Sequence, residues 1–362
     1  MARMSQRSLG TESRRGRGAP SNPANRYEAH YYEPFNDGWE GSDPQPARIE
    51  TSLTADSSRS VIARNSSPDL PFDRSINPYR GCEHGCIYCY ARPSHAWLGL
   101  SPGLDFETRL FFKPDAPELL RRELSFPGYR PAPIALGANT DAWQPAERRL
   151  GITRALLEVL REHHHPVTLV TKSALVERDI DLLSDLAGKD LVHAMVSLTT
   201  LDRGLARRME PRAAAPARRL ETVRRLAAAG IPTGVMIAPV IPALTDSEME
   251  RLLGAARKAG AAEAAYVLLR LPLEVEPLFR EWLEAHAPGM AKRVLNRLRD
   301  SRGGRLNDPR FGSRMLGEGP YAELIGQRFR LVHRRLGFPG LPVLSIEDFR
   351  VRRSESAQLS LF

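Results

Sequence analysis

Cysteine is scarce, with three in 362 residues. That is too few for the disulfide framework of a small secreted protein, and all three fall in one short segment. Long apolar runs are missing too. No stretch approaches the ~20 apolar residues of a membrane-spanning helix. The longest apolar segment, 233–244, carries Pro239 and Pro242 and reads as a buried strand. The N-terminus is rich in Arg and Ser and lacks the apolar core of a secretory signal. A chain soluble in the cytoplasm, with no membrane association, is expected. What remains is ordinary globular composition, 42% hydrophobic and 26% charged, enough for one large or two ordinary domains.

The formal charge is +9, which permits an anionic partner such as DNA or RNA. Arg far outnumbers Lys and Ala is abundant, a bias that GC-rich coding alone produces. Location is more informative than the total. Residues 290–335 contain Lys292, Arg293, Arg297, Arg299, Arg302, Arg305, Arg310, Arg314, Arg328, Arg330, Arg334 and Arg335, opposed by only Asp300, Asp308, Glu318 and Glu323.

Four regions follow from pattern. Residues 1–70 are rich in Gly, Pro, Ser and Asn without a periodic apolar face, and read as a mostly disordered arm. Residues 71–273 alternate apolar strand runs (133–139, 166–172, 191–200, 233–242, 264–272) with amphipathic helices. One helix is expected over 147–164. Another stops at Gly230, and a third opens on a Thr245/Glu248 capping box. With one strand ahead of the cysteines this makes about six βα units, an α/β architecture with a parallel sheet. Pattern alone allows a doubly wound sheet or a barrel. Residues 274–349 read as a mainly helical, basic appendage, and 350–362 as a flexible tail.

Cys82, Cys86 and Cys89 stand in NPYRGCEHGCIYCYARP, with the spacing C-x3-C-x2-C. Three thiolates this close suit a soft metal or an iron–sulfur cluster. Structural zinc is the alternative, and it wants four protein ligands. The nearby fourth is His84, awkwardly placed between Cys82 and Cys86 to close a tetrahedron. No fourth cysteine exists, so one coordination position stays open, as chemistry requires.

With Tyr88 ahead of Cys89, the segment resembles the C-x3-C-x-aromatic-C signature of radical S-adenosylmethionine enzymes. The resemblance implies a [4Fe–4S] cluster on Cys82, Cys86 and Cys89, with S-adenosylmethionine chelated to the fourth iron. It implies reductive cleavage to a 5′-deoxyadenosyl radical that abstracts hydrogen from a substrate. It also implies a partial (β/α)6 barrel with the cluster loop after the first strand. Together with TDAWQPAE, TKS and EPR, the motif resembles the branch that includes spore photoproduct lyase and DNA repair photolyase-like proteins, over roughly residues 60–270. An uncharacterised subgroup of that branch is similar in the GRGAPSNPANRYE arm as well.

By this resemblance the cofactor-binding set is Tyr88, Gly137, Asn139, Lys172, Ser197, Glu210 and Arg212. Gly137 and Asn139 end the second barrel strand, where Gly-Ala-Asn stands in place of the family's usual Gly-Gly-Glu. Lys172 resembles the partner of the cofactor's carboxylate, and Ser197 the ribose-binding serine. Glu210 and Arg212 can meet the cofactor or pair in a salt bridge. No catalytic residue is identified. Asp141, Gln144 and Glu147 face the same mouth as substrate contacts or helix caps, with capping expected of Glu147. His163, His164 and His165 invite a metal, but they end a helix at the opposite mouth and read as structural.

Spore photoproduct lyase uses a further cysteine as hydrogen donor. Here the cluster takes all three, so spore photoproduct itself is not the expected substrate. Gln358, Leu359, Leu361 and Phe362, in the terminal QLSLF, resemble the peptide by which bacterial polymerases and mismatch-repair proteins bind the β sliding clamp. The expectation is a radical enzyme, lyase-like or otherwise, acting on a nucleic-acid lesion or modified base and served by an electron donor such as flavodoxin or ferredoxin. The alternatives are a nucleic-acid and clamp-binding protein with a structural cluster, or a radical enzyme acting on protein or a small molecule.

Overall fold

The computed structural model describes residues 16–28 and 49–351. Six parallel strands form its centre: β1 (Arg74–Ile76), β2 (Ile134–Leu136), β3 (Val167–Thr171), β4 (Val192–Ser197), β5 (Thr233–Val240) and β6 (Glu263–Leu268). Each pairs with its sequence neighbour, and Ile62–Arg64 adds antiparallel to the free edge of β1. A doubly wound sheet reverses its strand order partway. This one never does, and β1 and β6 do not pair. The architecture is therefore the partial (β/α)6 barrel.

Helices α1 (Ala116–Leu124), α2 (Ile152–Glu162), α3 (Ile180–Ala187), α4 (Pro216–Ala228) and α5 (Met249–Lys258) cross between successive strands. Their apolar stripes, such as Leu156, Leu157 and Leu160 in α2, share one core with Val167, Leu169, Val192 and Val235 of the strands. Each such side chain contributes about 1.5–3 kcal/mol on full burial. Gly230 ends α4 with φ +76°, as its sequence position implies.

Two local expectations are corrected. The helix over 147–164 is broken: Glu147–Leu150 forms one turn, Gly151 takes φ +65°, and α2 restarts at Ile152. The Thr245/Glu248 capping box does not form. Thr245 Oγ1 accepts the Ile241 amide at 2.9 Å, and Glu248 accepts Thr200 Oγ1 at 2.6 Å and the Leu201 amide at 2.8 Å. Tertiary donors take the groups that local sequence assigned to a cap.

The C-terminal helices form the mainly helical appendage, and they pack into the barrel. α6 (Val275–His286) and α7 (Pro288–Asp300) enclose a second apolar cluster with Cys86, Ile87 and Tyr88. α8 (Pro320–Leu336) inserts Ile325, Phe329 and Val332 into the main core. Residues 339–350 then lace the N-terminal edge of the sheet, where Gly340 N meets Ala262 O, Ser345 N meets Asp190 O and Arg350 N meets His163 O.

Where it is described, part of the arm packs on the barrel. Residues 16–28 dock beside the cysteine loop, and Ser52–Ala55 pairs in parallel with Arg109–Phe112. Gly, Ser and Asn bind here through backbone and short polar groups, which leave no apolar periodicity to read. The terminal QLSLF lies outside the described residues. Among the described residues no helix is long and apolar enough to cross a membrane.

Candidate active site

The cysteine turn follows β1 at the C-terminal edge of the sheet, where half-barrel folds gather their chemistry. Cys82 N donates to Phe106 O at 2.9 Å, Gly85 N to Cys82 O at 3.3 Å and Cys89 N to Cys86 O at 3.1 Å. All three cysteines are free, Cys82 and Cys86 buried and Cys89 partly so. Gln144, completely buried, clamps the turn from β2's loop: its Oε1 accepts Glu83 N at 2.8 Å and its Nε2 donates to Gly81 O at 3.2 Å.

Burial pushes the Cys82 and Cys86 thiols well above their ordinary range; at Cys86 the pull of Lys172 is too weak to reverse it. Thiolates at those two positions need a positive metal centre beside them, the environment a cluster supplies. Among the described residues no group of three or more His, Cys, Asp or Glu is arranged to hold a single metal ion. The thiolates of a cluster bind different irons and need not converge on one point. His84 turns its Nδ1 to Asp141 Oδ2 at 3.3 Å, and among the described residues it forms no such single-ion group with the cysteines.

Lys172 directly follows β3, its ammonium 5.8 Å from the centre of the Tyr88 ring. No carboxylate pairs with it among the described residues. Its amide donates to Asp141 Oδ2 at 2.7 Å. Tyr88 is buried, and its hydroxyl donates to Glu210 and meets Thr199 Oγ1 at 3.1 Å. Gly137 (φ +80°) and exposed Asn139 end β2, the Asn139 amide donating to Asn77 Oδ1 at 2.8 Å. Ser197 closes β4, its carbonyl accepting from Arg219 at 3.1 Å.

Glu210 and Arg212 do not pair with each other. Glu210 accepts Tyr88, Thr199 Oγ1 at 2.8 Å and the buried guanidinium of Arg219. Arg212 pairs with Glu83 at 2.9 Å, and its amide reaches His84 O at 3.3 Å. With Ile87 N on Met209 O at 3.0 Å, residues 209–212 brace the cysteine turn along its length. Both charged side chains of the EPR motif thus have partners on or beside the cysteine turn.

Of the neighbouring acids, Glu147 caps the restarted helix α2 and not the turn it begins: it accepts the Thr153 amide at 3.1 Å and pairs with Arg178 at 2.8 Å. Two residues of the histidine run are tied into the fold. His165 lies between Tyr129 OH at 2.8 Å and Pro166 O at 2.9 Å, and His163 meets Arg350 O at 2.8 Å. Tyr90 escaped the sequence reading. It follows Cys89 and is 45% exposed, with its hydroxyl on Ala138 O and the Arg270 guanidinium 5.1 Å from its ring centre. An aromatic beside the third cysteine was the available signal.

Residues 76–256 match the family model described as the radical SAM superfamily. An uncharacterised Mycobacterium tuberculosis protein is 38% identical over 226 residues, which cover 62% of this chain and 66% of the relative, just under two thirds of its length. A Methanocaldococcus jannaschii protein, also uncharacterised, is 25% identical over 61% of this chain and 79% of its own. Among solved structures, a spore photoproduct lyase mutant with bound AdoMet and dinucleoside spore photoproduct aligns over 79% of both chains. Its TM-score is 0.55 at 14% identity, a likeness of fold.

Proposed function

The chain belongs to the radical SAM superfamily, and on that premise we propose that it carries a [4Fe–4S] cluster on Cys82, Cys86 and Cys89, binds S-adenosylmethionine beside it, and acts on a lesion or modified base in nucleic acid. The observation that carries this is the meeting of three free cysteines after β1 with a lysine after β3 that has no carboxylate partner among the described residues.

When bound, the cluster and S-adenosylmethionine supply a one-electron reductive cleavage that starts radical chemistry. The protein's own part is binding, orientation and exclusion of water. Lys172 takes the cofactor's carboxylate. Asp141 fixes the Lys172 backbone, and Arg219 and Glu210 hold Tyr88 against it. Gly137 and Asn139, following β2, face the cofactor's amino group, and Ser197, closing β4, its ribose. Glu210 and Arg212 support the turn and leave the cofactor to the others.

Two features favour nucleic acid. Lys292, Arg293 and Arg305 are exposed, whereas Arg310, Arg314 and Arg328 are committed to acidic partners. The terminal QLSLF fits a sliding-clamp ligand, which would bring the enzyme to DNA. An electron carrier such as flavodoxin or ferredoxin completes the system. Anaerobic reconstitution with iron and sulfide tests the reading: brown protein with about four irons per chain is expected. Stoichiometric zinc without iron contradicts it.

A further inference from the structure

The N-terminal Gly-Arg-Gly-Ala segment, outside the matched 76–256 region, lies directly against the cysteine turn. Gly18 N and Ala19 N donate to the two oxygens of Glu107, at 2.9 and 2.8 Å. Glu107 is fully buried and paired with Arg92, equally buried, whose Nε donates to the carbonyl of Cys86 at 3.0 Å. A short relay therefore runs from the arm through Glu107 and Arg92 to a cysteine.

A second relay begins one residue earlier. Buried Arg17 donates to Glu107 O at 2.7 Å and to Thr51 Oγ1 at 3.0 Å, and Thr51 donates to Glu83 Oε1 at 2.7 Å. The arm thus grips the turn on both sides of His84. At the crossing the fit is backbone on backbone: a Cβ on Gly18 would stand 1.8 Å from Gly85 O, and one on Gly85 2.7 Å from Glu107 Oε2. Farther along, Ser21 donates to Glu281 at 2.6 Å and Arg26 pairs with Glu274 at 2.7 Å, fastening the arm to α6.

We propose that residues 17–19 are positioning residues of the cysteine site: a strap that holds the Cys82–Cys86 turn in ligating shape and covers it, so that strap docking and occupation of the cysteines stabilise each other. The proposal rests on the cluster reading above. Coupling of this kind is reciprocal. A docked strap lengthens the life of the bound group, and a bound group keeps the strap docked.

The reciprocal arm is measured on the unaltered full-length chain. Trypsin cleavage after Arg17 and Arg26 is followed before and after anaerobic loading with iron and sulfide, with cleavage after exposed Arg335 as reference. Loading should slow the first two cuts several-fold relative to the third. The direct arm compares Gly18→Val with Pro20→Ala, whose site is exposed. In air, visible cluster absorption should bleach several-fold faster in Gly18→Val and at the wild-type rate in Pro20→Ala. If Gly18→Val does not fold, the proteolysis result decides. Iron-loaded wild type with unchanged cleavage after Arg17 overturns the strap alone, and so does a folded Gly18→Val that bleaches like wild type. A wild-type chain that takes up no iron overturns the cluster reading and the strap with it.

Discussion

His84 Nδ1 lies 3.3 Å from Asp141 Oδ2, a largely enclosed pair that joins the cysteine turn to the loop after β2. Burial pushes the Asp141 carboxyl up, but His84, the Lys172 amide and Thr171 outweigh it and hold the group at about 2. One carboxylate therefore sets the position of the cysteine turn and of the Lys172 backbone, while the lysine ammonium stays available.

Lys172→Ala should weaken S-adenosylmethionine binding to the reconstituted protein by roughly 1.5–3 kcal/mol, the range for a charged hydrogen-bond partner. Iron content and thermal unfolding should not move. Equilibrium dialysis showing wild-type affinity would remove Lys172 from the cofactor site and leave the cluster assignment standing.

His165 predicts the acid behaviour of the fold. Burial lowers its pKa from 6.5 to about 4, against the opposing hydrogen bond to Pro166. The folded state therefore keeps the ring neutral while the unfolded chain protonates it. This contribution is complete above the ordinary value and drains as pH falls through the interval toward the folded one, on the order of 3 kcal/mol in all. Urea midpoints should fall between about pH 7.5 and pH 5. In His165→Gln, which can still bond Tyr129 without titrating, the fall should be shallower. An equal fall in both proteins refutes the assignment.

Much of this architecture was legible from apolar periodicity. Five strand runs lie where the sequence placed them, and so do their helices apart from the break at Gly151, because burial fixes both period and face. The cysteine spacing and its place ahead of a βα series located the mouth. Three things were hidden. Sequence does not say whether six βα units wind one way or reverse, which only strand order decides. Glu210 and Arg212 have the right charge and loop for a ligand, and long-range partners, Arg219 and Glu83, claim them. The arm around Arg17 and Gly18 works through backbone amides and missing Cβ atoms, which carry no hydrophobic signal.

The basic C-terminal region yields a contrast. Changing Lys292, Arg293 and Arg305 to Ser should weaken nucleic-acid binding and flatten its salt dependence, each lost phosphate contact lowering the log–log slope by about one. Arg302 belongs to another class. It is buried and donates to Leu268 O, Leu269 O and Arg314 O at 2.7, 2.8 and 3.1 Å. Arg302→Ser should cost stability with no specific effect on the slope. Filter binding across a salt series that shows no change in the triple variant would dismiss the patch.

Deleting residues 358–362 should abolish capture by a bacterial sliding clamp, with affinity for the intact tail on the order of micromolar because a short segment must order itself on binding. Iron content and melting temperature should be unchanged. Loss of thermal stability on truncation would instead make the tail part of the fold.

The most direct test of the whole account is product analysis under anaerobic reduction. Reconstituted wild type, given S-adenosylmethionine and a strong reductant, should release 5′-deoxyadenosine and methionine slowly even without substrate. Cys86→Ala should release neither. Iron-loaded wild-type protein that binds S-adenosylmethionine and yields no 5′-deoxyadenosine would contradict the account and leave the cluster a structural element.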